Sequence, residues 1–327
     1  MIQPVEMRKT LPIDLHGGVR GTTTEVWAVL SASRDGQVDR VKALCSIRPE
    51  LSTCQYNYTP PLHFAVREGH PLLVRELVER GALDPTYTTY PFQDVLLTMA
   101  LDRGHGEVAA LLTGYMDRPE LLQKRGDTGA IDYGMDDIQR RFEKAVHNND
   151  LRGAGRLLAE RPALALDETA SWSEGVLMMP ANRGWREMLE LLLQHGARVP
   201  DVSKWAPKYY FKHYDIAAFL IAHGMNPNHM SWQRVTLLHD MAQRGNIPKA
   251  RLLLDHGADI NALDDEYRST PLGLAARWGH RKMVAFLLER GADAGKAGAP
   301  WATPLAWARN KGFTEIASDL KNSKSSS

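Results

Sequence analysis

Cysteine and long apolar runs are scarce in this sequence of 327 residues. Cys45 and Cys54 are its two cysteines, which are too few for a disulfide-built scaffold and fit a reducing compartment. The sequence has no run of about 18 apolar residues that would span a membrane. The N-terminus also lacks the apolar stretch of a secretory signal. These absences predict a cytoplasmic protein with no membrane partner.

An excess of charge and the usual catalytic motifs are missing as well. The formal net charge is +1, so we expect no broad basic face and no nucleic-acid partner. The sequence contains no H-E-x-x-H, no G-x-S-x-G, no phosphate loop and no paired C-x-x-C. We therefore predict no metal and no cofactor.

What the sequence does contain is a short unit in many copies. In "STPLGLAARWGHRKMVAFLLERGADAG" (269–295) two amphipathic helices are predicted, and each is too short to form a core alone. The residue that ends the first helix recurs at steps near 33 residues. These marker positions are Gly36, Gly69, Gly104, Asn149, Gly184, Lys212, Gly245, Gly279 and Gly312. Such a period predicts units that stack on one another.

The parts of the unit keep their order. First helices begin with "TPLGLAARWGH", "TLLHDMAQRGN", "PPLHFAVREGH" or "TPLAWARNKGF", where Thr caps the helix and Pro suits its first turn. Second helices such as "MVAFLLERGAD" end in Gly. These motifs resemble ankyrin repeats, with the T-P-L-H-x-A signature nearly intact in the second, seventh and eighth copies. The resemblance implies an all-α fold, a curved α-solenoid of about nine helix-turn-helix repeats with short β-hairpin fingers.

The spacing also predicts how the chain is divided. Repeats 1 and 4 lack the Thr-Pro start and end in Arg-Pro, which suggests an N-terminal cap and an irregular junction. A step of 45 residues predicts an insertion, and a step of 28 predicts a shortened finger near residues 200–205. The predicted segments are an extended N-terminus (1–23), repeats 1–3 (24–115), an insertion loop (116–135), repeats 4–8 (136–296), a capping repeat (297–323) and a disordered tail (324–327).

For function, the resemblance implies a non-catalytic scaffold, expected as a monomer, that binds another protein in its concave groove. Residues just before the marker positions and at finger tips should line this groove. Arginine with Trp and Tyr is typical of binding hot spots and favours an acidic partner. Arginine at a helix end can instead serve the helix dipole. The predicted partner-binding residues are Arg103, Trp172, Arg183, Tyr210, Phe211, Trp232, Arg244, Tyr267, Arg277, Trp278 and Lys311.

An alternative is an enzyme or small-molecule binder that uses an aromatic and carboxylate pocket at the irregular repeats 5–7. Asp240 stands beside His239 at a position where other repeats have apolar residues. A desolvated carboxylate could act as a general base. The competing interpretations are a buried salt bridge for Asp240 and, for His239, a structural contact between adjacent repeats.

Overall fold

A computed structural model describes residues 1–89, 92–122 and 130–324 of the chain. They form two compact units, an N-terminal unit of Val5–Gly134 and a C-terminal unit of Met1–Pro4 with the chain from Met135 onward. Residues 123–129 of the predicted insertion and 325–327 of the predicted tail lie outside the described residues. The predicted all-α repeat fold is confirmed, because helix pairs follow one another through both units and the strands named among the described residues make one short hairpin.

The N-terminal unit contains that hairpin and three helix pairs. In each of two parallel rows the helices pack in series, α1 on α3 on α5 and α2 on α4 on α6. The elements are β1 (Pro12–Asp14), β2 (Arg20–Thr22), α1 (Thr23–Arg34), α2 (Val38–Ile47), α3 (Pro61–Arg67), α4 (Pro71–Glu79), α5 (Leu96–Asp102) and α6 (Gly106–Met116), with short 3-10 turns at Val5–Arg8, His16–Gly18, Pro49–Ser52 and Pro119–Leu121.

Residues 5–22 of the predicted N-terminal segment fold onto the first repeat. The strands β1 and β2 pair antiparallel, with Pro12 opposite Thr22, and Ile13 is buried. Before them, the turn that carries fully buried Met7 packs on α1. The hydroxyl of Tyr56 also donates a hydrogen bond to Glu6 at 2.8 Å. This segment is therefore anchored by burial of its few apolar side chains.

The C-terminal unit contains six further helix pairs, counted over its described residues. The first helices of these pairs pack in series, α7 on α10, then α12, α14, α16 and α18. The elements are α7 (Asp137–His147), α8 (Leu151–Glu160), α9 (Ala170–Ser173), α10 (Met178–Arg183), α11 (Arg186–Gln194), α12 (Ala206–Tyr209), α13 (Tyr214–Ala222), α14 (Leu237–Gln243), α15 (Ile247–Asp255), α16 (Pro271–Arg277), α17 (Arg281–Glu289), α18 (Pro304–Asn310) and α19 (Thr314–Lys324), with 3-10 turns at Pro162–Leu166 and Pro300–Ala302.

Local sequence explains where the helices begin. The hydroxyls of Thr236, Thr270 and Thr303 each accept a hydrogen bond from the backbone amide three residues later, which satisfies an amide that has no partner within the helix. Proline occupies the first turn of α16 and α18, where its missing amide costs nothing.

Repeats 1 and 4 have longer first helices than the regular repeats. Helices α1 and α7 run for 12 and 11 residues, against seven in α14, α16 and α18, and they begin with capping boxes, as α14 also does. In both repeats the arginine of the Arg-Pro ending reaches back to the start of the first helix. Arg48 pairs with Glu25 at 3.1 Å and Arg161 pairs with Asp136 at 2.6 Å. Since α7 opens the repeats of the C-terminal unit, the irregular fourth repeat has the same construction as the first repeat of the chain.

The fingers are short. Among the described residues they take the form of single antiparallel bridges, Tyr56 with Thr59, Thr88 with Val95 and Met230 with Thr236. A parallel bridge joins Val202 of the shortened finger to Met230 of the next one. The fingers therefore connect adjacent repeats through a few backbone contacts.

A histidine that directly follows the marker residue links several repeats to the repeat before them. Nε2 of His280 hydrogen-bonds the carbonyl of Gln243 at 2.6 Å, and His70, His105 and His213 make the same contact with the repeat before them. At Gly36, Gly69 and Gly245 the histidine ring leaves no room for a Cβ, whereas the space at Gly184 is open. A Cβ at Gly245 would lie 2.9 Å from Nδ1 of His280.

Two glycine substitutions test this stacking contact. Gly184 and Gly245 both have positive φ, 74° and 65°, but a Cβ at Gly184 would meet no atom within 4 Å. We expect Gly184→Ala to lower the free energy of unfolding by about 1–2 kcal/mol, the cost of left-handed backbone for alanine. Gly245→Ala should cost about 1–3 kcal/mol more because it also overpacks the histidine. Urea denaturation measures both, and equal losses would contradict the contact.

Candidate functional site

The predicted binding residues divide sharply by exposure. Trp172, Arg183 and Arg244 are exposed, and Trp278 and Lys311 are half-buried. Six others are buried, and Arg103 among them lies in the N-terminal unit. A partner cannot reach these side chains, so they do not belong to an accessible binding surface. The six are Arg103, Tyr210, Phe211, Trp232, Tyr267 and Arg277.

Arg277 lies inside a cluster of aromatic rings. Its guanidinium carbon is 4.6 Å from the ring centres of Tyr267 and Trp278 and 4.8 Å from that of Trp307. The indole nitrogen of Trp307 donates to Ser269 Oγ at 2.7 Å. Because these residues come from repeats 8 and 9 and from the finger before α16, the cluster joins the last repeats. The arginine and aromatic composition predicted as a binding surface is here part of the core.

A buried carboxylate organises the shortened finger of repeats 5 and 6. Glu174 is 1% exposed, and its carboxylate accepts hydrogen bonds from the backbone amides of Lys204 at 2.9 Å and Trp205 at 3.3 Å. The hydroxyl of Tyr210 donates to the backbone carbonyl of Glu174. Burial raises the pKa of Glu174. Tyr210 therefore has a structural partner, which sequence periodicity could not indicate.

A buried serine and histidine lie in the same region. Oγ of Ser203 is 2.9 Å from Nε2 of His229, and both residues are buried. Burial lowers the pKa of His229 to about 4, so the imidazole is neutral at neutral pH. Their burial makes this pair part of the packing between repeats 6 and 7.

Asp240 and His239 have structural partners. Oδ2 of Asp240 is 2.8 Å from Nε of Arg244, and burial raises the pKa of this carboxyl while Arg244 opposes the rise. Nδ1 of His239 contacts Thr236 Oγ1 at 2.8 Å, and its Nε2 contacts the carbonyl of Ser269 at 3.1 Å. With both ring nitrogens engaged and its pKa lowered to about 4 by burial, His239 ties repeats 7 and 8 together.

Apart from Trp172, the exposed and half-buried candidates stand beside the marker position, each at the end of a first helix of the C-terminal unit, and Lys212 fills this place in repeat 6. We call the set the first-helix surface. Its members are Arg183, Lys212, Arg244, Trp278 and Lys311.

The first-helix surface is basic by composition. No Asp or Glu occurs among the marker residues of repeats 5–9 or the two residues before each of them. Asp240, one turn before Arg244, is buried and neutralised by that arginine. Lys212 was not among the residues predicted from the sequence because it replaces the glycine of the repeat. Its position at the marker was the signal that could have identified it.

A second feature that the sequence did not indicate is a cleft between α7 and α8. It has a volume of about 520 Å³, and its floor includes Ala145 and Leu157. Its charged rim is mixed. The cations are Arg141, Lys144 and Arg156, and the anions are Asp150 and Glu160.

Within 1–89, 92–122 and 130–324, no group of three or more His, Cys, Asp or Glu side chains could hold a metal ion. In the same part of the chain, no helix has the length and apolar character needed to cross a bilayer.

Stacked pairs of short helices joined by fingers define a helical repeat protein. Residues 205–297 match the model for ankyrin repeats in three copies, and residues 58–90 match the model for a single ankyrin repeat. The chain therefore contains ankyrin repeats, and the resemblance indicated by the T-P-L-H-x-A motifs is confirmed.

Curated relatives share this repeat region. The chain is 27% identical over 259 residues to the probable E3 ubiquitin-protein ligase XBOS33 of Oryza sativa subsp. japonica, covering 78% of this chain and 42% of the relative. It is 26% identical over 250 residues to the B-cell lymphoma 3 protein homolog of Mus musculus, covering 75% and 45%. It is 31% identical over 156 residues to the ankyrin repeat protein nuc-2 of Neurospora crassa, covering 46% and 12%. The chain thus spans less than half the length of these relatives.

Proposed function

We propose that this chain is a non-catalytic, cytoplasmic interaction scaffold that binds an acidic segment of a partner protein on the first-helix surface. Ankyrin repeats support a role in protein–protein interaction. The observation that carries the proposal is the set of basic side chains Arg183, Lys212, Arg244 and Lys311 in repeats 5, 6, 7 and 9, with no acidic residue at the marker positions of repeats 5–9 or the two positions before them. Cytoplasmic location is supported by Cys45 and Cys54, which are both free and buried.

The geometry of stacked repeats sets the form of the ligand. Packed helices lie about 8–10 Å apart, and an extended peptide advances about 3.3 Å per residue. Acidic side chains every third residue would therefore meet the cations of the successive repeats 5, 6 and 7. Guanidinium groups such as that of Arg183 pair with carboxylates through two parallel hydrogen bonds. The expected ligand is a linear peptide with regularly spaced Asp or Glu.

Charge reversal on this surface tests the proposal. Random 16-residue peptides displayed on phage are selected on the intact chain, and the best peptide is titrated against Arg183→Glu/Lys212→Glu. We expect acidic peptides whose affinity falls about tenfold in this variant, because two attractive pairs become repulsive. The loss should shrink at high salt. Arg244 is left unchanged because its loss would leave the buried carboxylate of Asp240 without its cation partner and would destabilise the fold.

A control variant carries the same charge change elsewhere. Arg152 on the second helix α8 and Arg198 in a loop are both exposed. The affinity of Arg152→Glu/Arg198→Glu should stay within about twofold of the wild type, because exposed charges beyond a Debye length of about 8–10 Å are largely screened. Equal affinities of both double variants, or selection of peptides without acidic residues, would contradict the proposed surface.

A further inference from the structure

The finger of repeat 5 carries an unusual backbone. Three consecutive residues of α9, Ser171, Trp172 and Ser173, have positive φ of 53°, 59° and 63°. None of them is glycine, and the left-handed region is unfavourable for residues with a Cβ. Such a conformation persists only where the surrounding structure holds it.

Neighbouring repeats hold this turn in place. The amide of Ser171 donates to Oε1 of Glu143 at 2.6 Å, and its hydroxyl lies 3.2 Å from Nε2 of His147. Both partners belong to α7 of repeat 4. At the other end, the turn runs directly into Glu174, which is fixed by the backbone of repeat 6. The turn is therefore rigid.

The consequence of this rigid turn is an exposed indole. Ser171 and Ser173 are 3% and 6% exposed, whereas the Trp172 between them is 61% exposed. The ring of His147 lies 6.4 Å from the indole, centre to centre. The strained turn thus buries two small polar side chains and displays a large apolar one. Because the indole stays exposed, packing of Trp172 within the chain does not account for the strained backbone.

We propose that Trp172 is the apolar anchor of the peptide site, where it packs against one large hydrophobic side chain at the end of an acidic peptide. This inference rests on the proposed function. The first-helix surface begins at Arg183 in the same repeat and continues to Lys311 in repeat 9, while the turn of Trp172 contacts repeat 4. Trp172 therefore lies at one end of the basic row. The matching ligand has its hydrophobic residue at one end and its carboxylates on one side of it.

Rigid aromatic groups are effective anchors because they bury a large area and lose little conformational entropy on binding. A tryptophan anchor typically changes affinity by about 30-fold or more when truncated. The basic row supplies orientation and rate of association, whereas the indole supplies much of the affinity.

The test is Trp172→Gly, which removes the indole and permits the left-handed backbone. Using the peptide selected on the intact wild-type chain, we expect binding to weaken about 30-fold or more. The melting temperature should be unchanged or higher, because glycine adopts positive φ without strain. The selected peptides should also carry Trp, Phe, Leu or Ile at one end of their acidic run. Tyr214→Ala is the control, since Tyr214 on α13 is a comparably exposed aromatic residue (51%).

Three outcomes would overturn the inference. If Trp172→Gly binds like the wild type while Arg183→Glu/Lys212→Glu does not, Trp172 is no anchor but the basic surface stands. If both variants bind like the wild type, the inference and the proposed function fail together. If sedimentation shows a wild-type dimer that Trp172→Gly abolishes, the indole contacts a second copy of the chain instead.

Discussion

Arg277→Ala is expected to lower the free energy of unfolding by about 3–5 kcal/mol. The side chain is 7% exposed and its guanidinium group lies over three aromatic rings, those of Tyr267, Trp278 and Trp307. A desolvated cation–π contact contributes about 2 kcal/mol. Removing a buried side chain adds a cavity, at about 2–5 kcal/mol for large apolar residues. Urea denaturation followed by circular dichroism measures the loss.

Arg277→Met distinguishes the effect of losing the positive charge from the effect of losing side-chain volume. Methionine fills most of the space but has no cation to lie over the rings, so we expect a loss of about 1–2 kcal/mol. If Arg277→Ala changes stability by less than about 1 kcal/mol, the side chain belongs to a solvated surface, as its position before the marker glycine predicted. Equal losses for Ala and Met would show that the charge, and not packing, stabilises the cluster.

The repeat period was sufficient to predict the fold because each part of the unit is a local signal. Thr270 before Pro271 begins a helix and Gly279 ends it through contacts within one turn. The resulting units have no means of burying their apolar faces except by stacking. The Arg-Pro endings of repeats 1 and 4 were also visible in sequence. Their pairing with Glu25 and Asp136 was not, because it joins residues 23 and 25 positions apart.

The candidate surface was predicted less well, and helix geometry gives the reason. Adjacent residues on a helix point about 100° apart, so the two positions before a marker cannot both face solvent equally. Gln243 is half-buried and Arg244 exposed, while Arg277 is buried and Trp278 is partly exposed. Treating the two positions as one class mixed core residues with surface residues. Neither position could be assigned without knowing which rings the next repeat supplies.

The shortened finger shows a different limit. A finger about six residues shorter than usual predicted a notch near residues 200–205, but no pattern in the sequence connects this notch with Glu174, 30 positions before Lys204. The Glu174 carboxylate accepts hydrogen bonds from the backbone amides of Lys204 and Trp205 in the shortened finger. The shortened finger is thus held by the Glu174 side chain, which comes from the preceding repeat.

Glu174→Ala should therefore destabilise the C-terminal unit by about 2–4 kcal/mol. It leaves the amides of Lys204 and Trp205 without their acceptor, and an unsatisfied buried amide costs about 1–3 kcal/mol. Glu174→Gln keeps one carbonyl oxygen in place and should cost clearly less. Denaturation at neutral pH compares the two variants. Equal losses would mean that the carboxylate oxygens do not hold the finger.

The pH dependence of the wild type provides an independent check on the same group. Burial raises the pKa of Glu174 above its unfolded value of 4.5, so the folded state binds a proton more readily than the unfolded state. The stabilisation of the folded state by protonation of Glu174 is fully present below about pH 4.5 and is lost as the pH rises through the folded pKa. Glu174→Gln has no proton to exchange. The stability of the wild type relative to this variant should therefore increase as the pH falls from 7 toward 4.5, and a difference that does not change with pH would place the carboxylate in a solvated position.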